Sequence, residues 1–330
     1  MLINKNIKKK IFINKISVII PVFNCENSII SVIRSIQNQN LYEFEIILVN
    51  DNSTDNTTKI IKKLKEEDNR IKTINNKKNM GILYSRCIGV LEAKGKYIFP
   101  LDNDDMFFDK DLFETIYNDA IIHNYDIVGF KHVQADNYNA NIKEMKEGCH
   151  MHNYSFIIYQ PELSLFGISK NDKLSISDVH IWSKCIKNYI YKTAVNTLGE
   201  KKYSLFISWA EDTSMVFILF NIAKSYRYIT KYGIFRLNRK SSASNNISKS
   251  KRILGAIFLL DIIFIFTKNN SKDKKFVFYI ANLIGNIISK NTLDFYNKNY
   301  LNLVLSKIYN CTYINTKDKE ALKNIYKNII

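Results

Sequence analysis

The sequence predicts an α/β fold with a doubly wound, mainly parallel β-sheet and a helical C-terminal region. Short apolar runs alternate with amphipathic stretches over the first 130 residues. Polar residues follow each of these runs, and the tail from residue 251 contains long apolar stretches without strand spacing. This alternation is typical of βαβ units packed on a parallel sheet.

Five short apolar runs are the predicted strands. They are rich in β-branched and aromatic residues and are bounded by polar turn residues, as expected for buried strands. In order they read ISVIIPVF (16–23), FEIILVN (44–50), IKTIN (71–75), KYIFPL (96–101) and YDIVGFKH (125–132).

Four segments between these strands carry apolar residues at helical spacing. They cover residues 25–39, 55–68, 80–94 and 109–122. Parallel strands require such crossover connections, so each segment is predicted to be a helix that links two strands.

Beyond residue 132 the alternation of strands and helices becomes irregular, and the sequence shows no sharp domain boundary. The sequence divides into a basic segment 1–15, the alternating region 16–132, an irregular region 133–250 and a helical region 251–330. The irregular region contains one clear helix, residues 213–224.

The two longest apolar runs, residues 253–266 and 276–288, are shorter than a membrane-spanning helix requires. They are interpreted either as buried helices or as helices that rest on a membrane surface. The N-terminal segment lacks the apolar core of a signal peptide.

The charge and the cysteines are compatible with several classes of protein. The formal charge of +17 favours polyanions such as nucleic acid, anionic lipid or phosphorylated substrates. The five cysteines are dispersed without a C-x-x-C pair, which indicates reduced thiols in a cytoplasmic protein.

Polar residues directly follow four of the predicted strands. Ligands of such sheets bind beyond the carboxyl ends of the strands, near the point where strand order reverses. The sequence therefore predicts one crevice that contains Asn24, Asp51, Asn79, Asp102 and Asp104.

Several common motifs are excluded. No G-x-G-x-x-G follows the first strand, and no G-x-x-x-x-G-K-[ST] occurs in the chain. The DNDD run does not open a calcium loop, because Phe107 and Phe113 occupy the positions of its glycine and glutamate. CHMH (149–152) lacks a second pair of zinc ligands at a plausible spacing.

Four motifs in the right order and spacing resemble those of family 2 glycosyltransferases with the GT-A fold, of the bacterial polysaccharide and glycolipid type. They read ISVIIPVFN, NDNSTD, NMGILYSRCIGVLEAKGKY and LDNDDMF. The resemblance is strong over residues 16–130 and weaker to about 245. It implies that 16–132 binds a nucleotide sugar and that 133–250 binds the acceptor and carries the catalytic base.

The resemblance implies roles for the crevice residues. Asp51 would accept a hydrogen bond from the base, and Asp102 would contact the ribose side. Asp104, with Asp102, would hold Mg²⁺ or Mn²⁺ on the diphosphate, as such ions use one or two carboxylates plus phosphates. The nucleotide-sugar set is Pro21, Val22, Phe23, Asn24, Asp51, Asn79, Gly81, Arg86, Asp102, Asn103 and Asp104.

Some of these positions depart from the family pattern or permit two roles. Asn50 replaces an acidic residue, and Cys87 replaces a common Asn or Ala. Arg86 is expected either to reach a phosphate or to be an exposed helix residue. Asp105 is expected to tune the site or to cap the following helix.

The resemblance also implies a general base in the segment SWAEDTSMVF (208–217), namely Asp212, with Glu211 beside it. An inverting transfer needs a carboxylate that deprotonates the acceptor hydroxyl. Asp212 also precedes an apolar helix, where Asp is a preferred N-cap, and the two roles can coexist.

The acceptor side is expected to include Trp182, Lys184 and Trp209, although Trp182 is equally compatible with the core. Arg236 and Arg239, in a basic stretch that also holds Ser242, are expected to contact the diphosphate or to form a solvated loop.

The sequence therefore predicts an inverting hexosyl- or N-acetylhexosaminyltransferase of surface polysaccharide synthesis, such as capsule or lipopolysaccharide. Its expected partners are a nucleotide-diphosphate sugar, of the UDP type, a glycan or lipid-linked acceptor and an anionic membrane surface, with no nucleic acid. The expected location is cytoplasmic and peripheral on the inner membrane face.

Three other classes of protein explain the sequence less well. A basic nucleic-acid-binding protein would explain the charge but not the acidic residues at the strand ends. A nucleotidyltransferase would have a Gly-rich opening that this chain lacks. A nucleotide-sugar-binding protein without transfer activity would not need carboxylates at positions 102, 104 and 212.

Overall fold

The structure is a computed structural model that describes most of the chain. The described residues are 14–135, 146–147, 155–159, 166–168, 174–176, 180–237, 248–266, 299, 301–302, 305–306 and 320. The helical run expected at 276–288 lies outside them, as do Arg239 and Ser242.

The four N-terminal strands form where the apolar runs predicted them, and further strands follow. The strands are β1 (Ile16–Val22), β2 (Phe44–Asn50), β3 (Ile71–Asn75), β4 (Tyr97–Pro100), β5 (Asp105–Phe107), β6 (Ile127–Ala135), β7 (Lys146–Glu147), β8 (Phe156–Tyr159), β9 (Phe166–Ile168), β10 (Leu174–Ile176), β11 (Lys184–Lys187) and β12 (Ser225–Leu237).

The helices between the first strands also agree with the prediction, with ends shifted by a few residues. The helices are α1 (Ile29–Gln37), α2 (Thr57–Glu67), α3 (Ile82–Glu92), α4 (Leu112–Ile122), α5 (Asn188–Leu198), α6 (Glu200–Tyr203), α7 (Glu211–Ile222) and α8 (Lys249–Phe266). A short 3-10 helix, Ile181–Ser183, precedes β11.

The main sheet confirms the predicted α/β class. Its strand order is β3-β2-β1-β4-β11-β6-β12-β5, and β3, β2, β1 and β4 are mutually parallel. Strand β11 is antiparallel to both β4 and β6. Because the chain continues from β3 to the far side of β1, strand order reverses between β1 and β4, where ligands of such sheets bind.

Helices cover both faces of the sheet. Alternate residues of a strand point to opposite faces, so Val18 and Ile20 pack in one core cluster and Ile19 in the other. Helices α1, α2 and α4 contribute to the first cluster, and α3, α5, α7 and α8 contribute to the second.

The apolar run 253–266 lies within α8 as a buried helix, the first of its two interpretations. Ile257, Leu260 and Ile263 are fully buried, and Asp261 inside the run pairs with Lys202. Within the part of the chain that the structure describes, no helix is both long and apolar enough to cross a membrane.

Candidate active site

A cavity of about 650 Å³ lies at the carboxyl ends of β1, β2 and β4. It brings together most of the side chains that the sequence placed in the crevice and on the acceptor side. The predicted residues that line it are Pro21, Val22, Phe23, Asp51, Asn79, Gly81, Asp102, Asn103, Asp104, Trp182, Trp209, Glu211, Asp212 and Arg236.

A second cavity, about 770 Å³, lies at the opposite edge of the sheet, beside Lys96 before β4. It is open, its lining includes Lys94, Lys96, Lys187 and Lys192, and it contains none of the predicted site residues. The first cavity is therefore the candidate active site.

Asp51 follows β2 and anchors the segment that leads into α3. Its Oδ1 accepts hydrogen bonds from the Asn76 side chain at 2.7 Å and the Met80 amide at 2.8 Å. Its Oδ2 accepts one from the Gly81 amide at 2.8 Å. Each carboxylate oxygen can accept two bonds, so Oδ2 retains the capacity to accept one from a ligand.

Three of the predicted site residues that the structure describes do not line the cavity, namely Asn24, Lys184 and Arg86. Asn24 braces the neighbouring loop, because its Oδ1 accepts a hydrogen bond from the Thr54 amide at 2.8 Å. Lys184 is fully buried, and its ammonium donates to the His180 carbonyl at 2.6 Å. The prediction that Lys184 frames the acceptor is therefore wrong, since it instead holds the turn that presents His180 and Trp182.

Arg86 links Asp102, which follows β4, to Asp212, at the start of α7. Its Nη2 donates to Asp102 Oδ1 at 2.9 Å and its Nη1 donates to Asp212 Oδ1 at 2.6 Å. The side chain is 2% exposed, so the expectation of an exposed helix arginine is wrong. Burial opposes its charge, but the Asp212 and Asp102 carboxylates outweigh burial and raise the pKa of the guanidinium.

Glu211 and Asp212 open helix α7. The N-cap is Ala210, in the left-handed conformation with φ 61°, so the expected N-cap role of Asp212 is wrong. Both carboxyl groups lie in the first turn, where the helix dipole favours negative charge. Burial and the adjacent Asp212 nevertheless raise the pKa of Glu211 to about 8, despite Arg86. Glu211 is therefore mainly protonated near neutral pH.

Asp105 is the buried first residue of β5, next to the cavity-lining Asp104, rather than a residue at a helix end. Helix α4 has Asp111 as its N-cap, so the capping role expected of Asp105 is wrong. Arg236 is its neighbour on β12, with Nε 3.5 Å from Asp105 Oδ1, and the Arg236 guanidinium also stacks over Trp182. Burial raises the pKa of Asp105 well above its usual value, against the effect of Arg236.

Several lining residues were not anticipated from the sequence. They come from the start of α3, the 180–182 turn, the segment before α7, the first turn of α7 and the start of α8: Ile82, Ser85, His180, Phe206, Ser208, Ala210, Thr213 and Lys251. The His180 ring stacks on Trp182 with a centroid separation of 4.7 Å. No spacing pattern marks these residues, because they reach the cavity through the packing of later segments.

The carboxylates suit a metal that arrives with a diphosphate. Among the described residues, no group of three or more His, Cys, Asp and Glu side chains could hold a metal by itself. Asp102 and Asp104 both line the cavity, and Arg86 engages only Oδ1 of Asp102. Two carboxylates that share an ion with phosphate oxygens match the coordination that Mg²⁺ prefers.

Comparison with known proteins places this arrangement in a family. The model of glycosyl transferase family 2 matches residues 17–185, and the chain therefore belongs to this family. The match covers the whole predicted nucleotide-sugar set, from Pro21 to Asp104, and ends before Arg236 and the α7 carboxyl groups.

Relatives of known sequence share part of the chain. Glycosyltransferase GlyG of Streptococcus pneumoniae is 32% identical over 117 residues, which cover 33% of this chain and 38% of that protein. Cholesterol galactosyltransferase of Borreliella burgdorferi is 40% identical over 114 residues, which cover 34% and 31%. The chain thus matches less than two-fifths of the length of either relative.

The fold is similar over nearly the whole chain to a solved structure. Staphylococcus aureus TarS 1–349, solved in complex with UDP-GlcNAc, has a TM-score of 0.65 and 15% identity, covering 95% of this chain and 87% of that one. The GT-A fold predicted from the motifs is thereby confirmed.

Proposed function

We propose that the protein is an inverting glycosyltransferase that moves a hexosyl or N-acetylhexosaminyl group from a UDP-type nucleotide sugar to a glycan or lipid-linked acceptor. The observation that carries the proposal is the link from Asp102 through Arg86 to Asp212. It joins a carboxylate at the strand switch point to one at the start of α7 within one cavity.

The donor would lie along the carboxyl ends of β1, β2 and β4. Pro21, Val22 and Phe23 would surround the nucleoside, and Oδ2 of Asp51 would accept a hydrogen bond from the base. TarS binds UDP-GlcNAc on the same fold, which supports a nucleotide sugar as the ligand class.

Asp104 and Asp102 would hold Mg²⁺ or Mn²⁺ at the diphosphate. A bound divalent cation supplies Lewis-acid stabilisation of the charge that develops on the departing diphosphate. Arg236 faces the same cavity and would add positive charge there.

Asp212 would act as the general base. Arg86 fixes its Oδ1, so Oδ2 is the oxygen that would accept the proton of the acceptor hydroxyl. As that proton leaves, the acceptor oxygen bonds to the anomeric carbon, the bond from this carbon to the diphosphate breaks, and the nucleoside diphosphate departs. Attack from the face opposite the leaving group inverts the anomeric configuration.

Trp182 and Trp209 would frame the acceptor, since both line the cavity on its α7 side. The biological product we propose is a surface polysaccharide or glycolipid. The net charge of +17 favours peripheral attachment to anionic lipid at the inner membrane face. Cosedimentation with anionic vesicles that is lost at high salt would support this location, whereas equal recovery with neutral vesicles would contradict it.

The proposed activity is tested by nucleoside diphosphate release from a panel of nucleotide sugars, with glycan and lipid-linked acceptors. We expect release from one donor class together with a product of one added sugar by mass spectrometry. Asp212→Asn should reduce kcat by about 10²- to 10⁴-fold, the usual contribution of a general base. Wild-type binding of UDP without any release or transfer would instead indicate a binding protein.

A further inference from the structure

Two large aromatic side chains at the cavity wall are left exposed. Phe23 is 41% exposed and Phe206 is 42% exposed, and both line the cavity. Ligand sites are typically lined by aromatic rings with a few polar groups, so exposed rings at such a wall point to a ligand surface. Phe23 follows β1, but Phe206 comes from the segment before α7.

The position of Phe206 is set by its contact with Gly81. A Cβ at position 81 would lie 3.3 Å from Phe206 Cδ2, so the ring packs directly on the glycine. Gly81 has φ +91°, and its amide donates to Asp51 Oδ2. Phe206 therefore lies at the Asp51 end of the cavity.

The two ends of the cavity are well separated. Asp51 follows β2 and Asp102 follows β4, and these strands flank β1. Two strand spacings amount to about 10 Å. Phe206 is thus far from the carboxylates that would hold the diphosphate and close to the residue that would bind the base.

Helix α8 holds the segment that carries Phe206. Gly255 of α8 packs against the Trp209 backbone so closely that a Cβ would lie 2.1 Å from the carbonyl oxygen. The Lys251 ammonium lies 5.4 Å from the centre of the Phe206 ring. Both Phe206 and α8 lie outside the residues 17–185 that match the family model.

We propose that Phe206 forms a second aromatic wall of the nucleoside pocket, together with Phe23, and that the base of the donor lies against both rings. The inference rests on the proposed function. It gives Phe206 a role in donor binding, although the sequence placed the nearby Trp209 on the acceptor side. Stacking of a base on an aromatic ring is favourable enough that losing it should measurably weaken nucleotide binding.

Binding of UDP to the full-length protein with Mn²⁺ tests the proposal directly. The chain contains two tryptophans, and both Trp182 and Trp209 line the cavity, so tryptophan fluorescence reports occupancy. Phe206→Ala should raise the Kd of UDP about tenfold, equivalent to about 1.4 kcal/mol. Phe206→Tyr should bind as the wild type does, and Mn²⁺ with inorganic pyrophosphate should bind both variants equally.

Phe108→Ala is the matched control, because Phe108 is 41% exposed but does not line the cavity. This inference alone would be overturned if Phe206→Ala bound UDP with the wild-type Kd, or if it lost as much affinity for pyrophosphate as for UDP. A wild-type protein that does not bind UDP would overturn the proposed function as well. If Phe206→Ala does not fold, Phe206→Leu keeps the apolar bulk without the ring and carries the same expectation.

Discussion

At the scale of single residues, Arg86 accounts for how the two halves of the site stay together. It is buried, and it neutralises two carboxylates that approach the same guanidinium from different parts of the chain. Removing one member of a buried ion cluster leaves uncompensated charge, which costs more than the intact cluster contributes.

Arg86→Met should therefore lower the free energy of unfolding by about 3 kcal/mol, the lower end for a buried pair, because the carboxylates are partly exposed. Urea denaturation measures this change. Arg86→Lys should lose less, since it keeps the charge but not the two-pronged geometry.

Arg34→Met is the control for this prediction. Arg34 pairs with Glu67 at 2.8 Å on the surface, and such exposed pairs contribute about 0–1 kcal/mol. Equal destabilisation by the two Met substitutions would contradict the role of the buried arginine.

Glu211 predicts a pH dependence of stability. Its pKa is raised from 4.5 to about 8, so between these values the folded protein binds more protons than the unfolded chain. Stability should then fall as pH rises through this window and level off above about 8. Glu211→Gln removes this titrating group. The free energy of unfolding of the variant, measured by urea denaturation relative to wild type, should therefore increase from pH 5 to pH 9.

Glu66→Gln on the exposed face of α2 serves as the matched control for Glu211→Gln. A stability difference between Glu211→Gln and wild type that stays constant with pH would show that Glu211 remains ionised in the folded protein.

Much of the site could be predicted at this scale, because polar residues at the ends of parallel strands must share one edge. This reasoning placed Asp51, Asp102 and Asp104 correctly in one cavity. It could not place His180, Phe206 or Lys251, since their contributions depend on how the later segments pack. The burial of Arg86 was not predicted either. Its partners Asp102 and Asp212 are close in space but distant in the sequence, so no pattern around residue 86 indicates the contact.

At the scale of elements, the close packing of α3 on the sheet fixes the start of α3 against Asp51. Gly89 allows this approach, since a Cβ there would lie 2.4 Å from Ile19 Cγ2 in β1 and 3.2 Å from Val49 Cγ2 in β2. The neighbouring atoms are core side chains, which have little room to move.

Gly89→Ala should accordingly destabilise the fold by about 1–3 kcal/mol, despite the better helix propensity of alanine. Thermal or urea denaturation measures the loss. Glu92→Ala, on the exposed face of the same helix, should leave stability nearly unchanged. Gly89→Ala as stable as wild type would mean that α3 does not pack this closely.

The elements of the N-terminal half could be predicted because each has its own period and its own turn signals. Strands β2 and β3 agree with their predicted bounds. Strand β5 was missed since it has only three residues and begins at the last residue of the polar DNDD segment. Strand β11 lies between β4 and β6 in the sheet. This pairing depends on tertiary contacts, so it cannot be predicted from the sequence of any one segment.

At the scale of the whole molecule, the site is completed by regions far apart in the chain. The β-strand ends contribute Asp51, Asp102 and Asp104, α7 contributes the proposed base Asp212, and α8 supports the segment that contains Phe206 and Trp209. The division into a donor half and an acceptor half at residue 132 stays a prediction. The proposed donor pocket draws on residues from both sides of that boundary.

The central claim is that this cavity holds a nucleotide sugar through Asp104 and a divalent cation. The most direct measurement is nucleoside diphosphate release with Mn²⁺ or Mg²⁺, with and without EDTA, for wild type, Asp104→Asn and the control Glu114→Gln on the exposed face of α4. We expect release by wild type and Glu114→Gln that EDTA abolishes, and at least a 10²-fold loss in Asp104→Asn, in line with several kcal/mol of metal stabilisation. Release that survives both EDTA and Asp104→Asn would contradict the account.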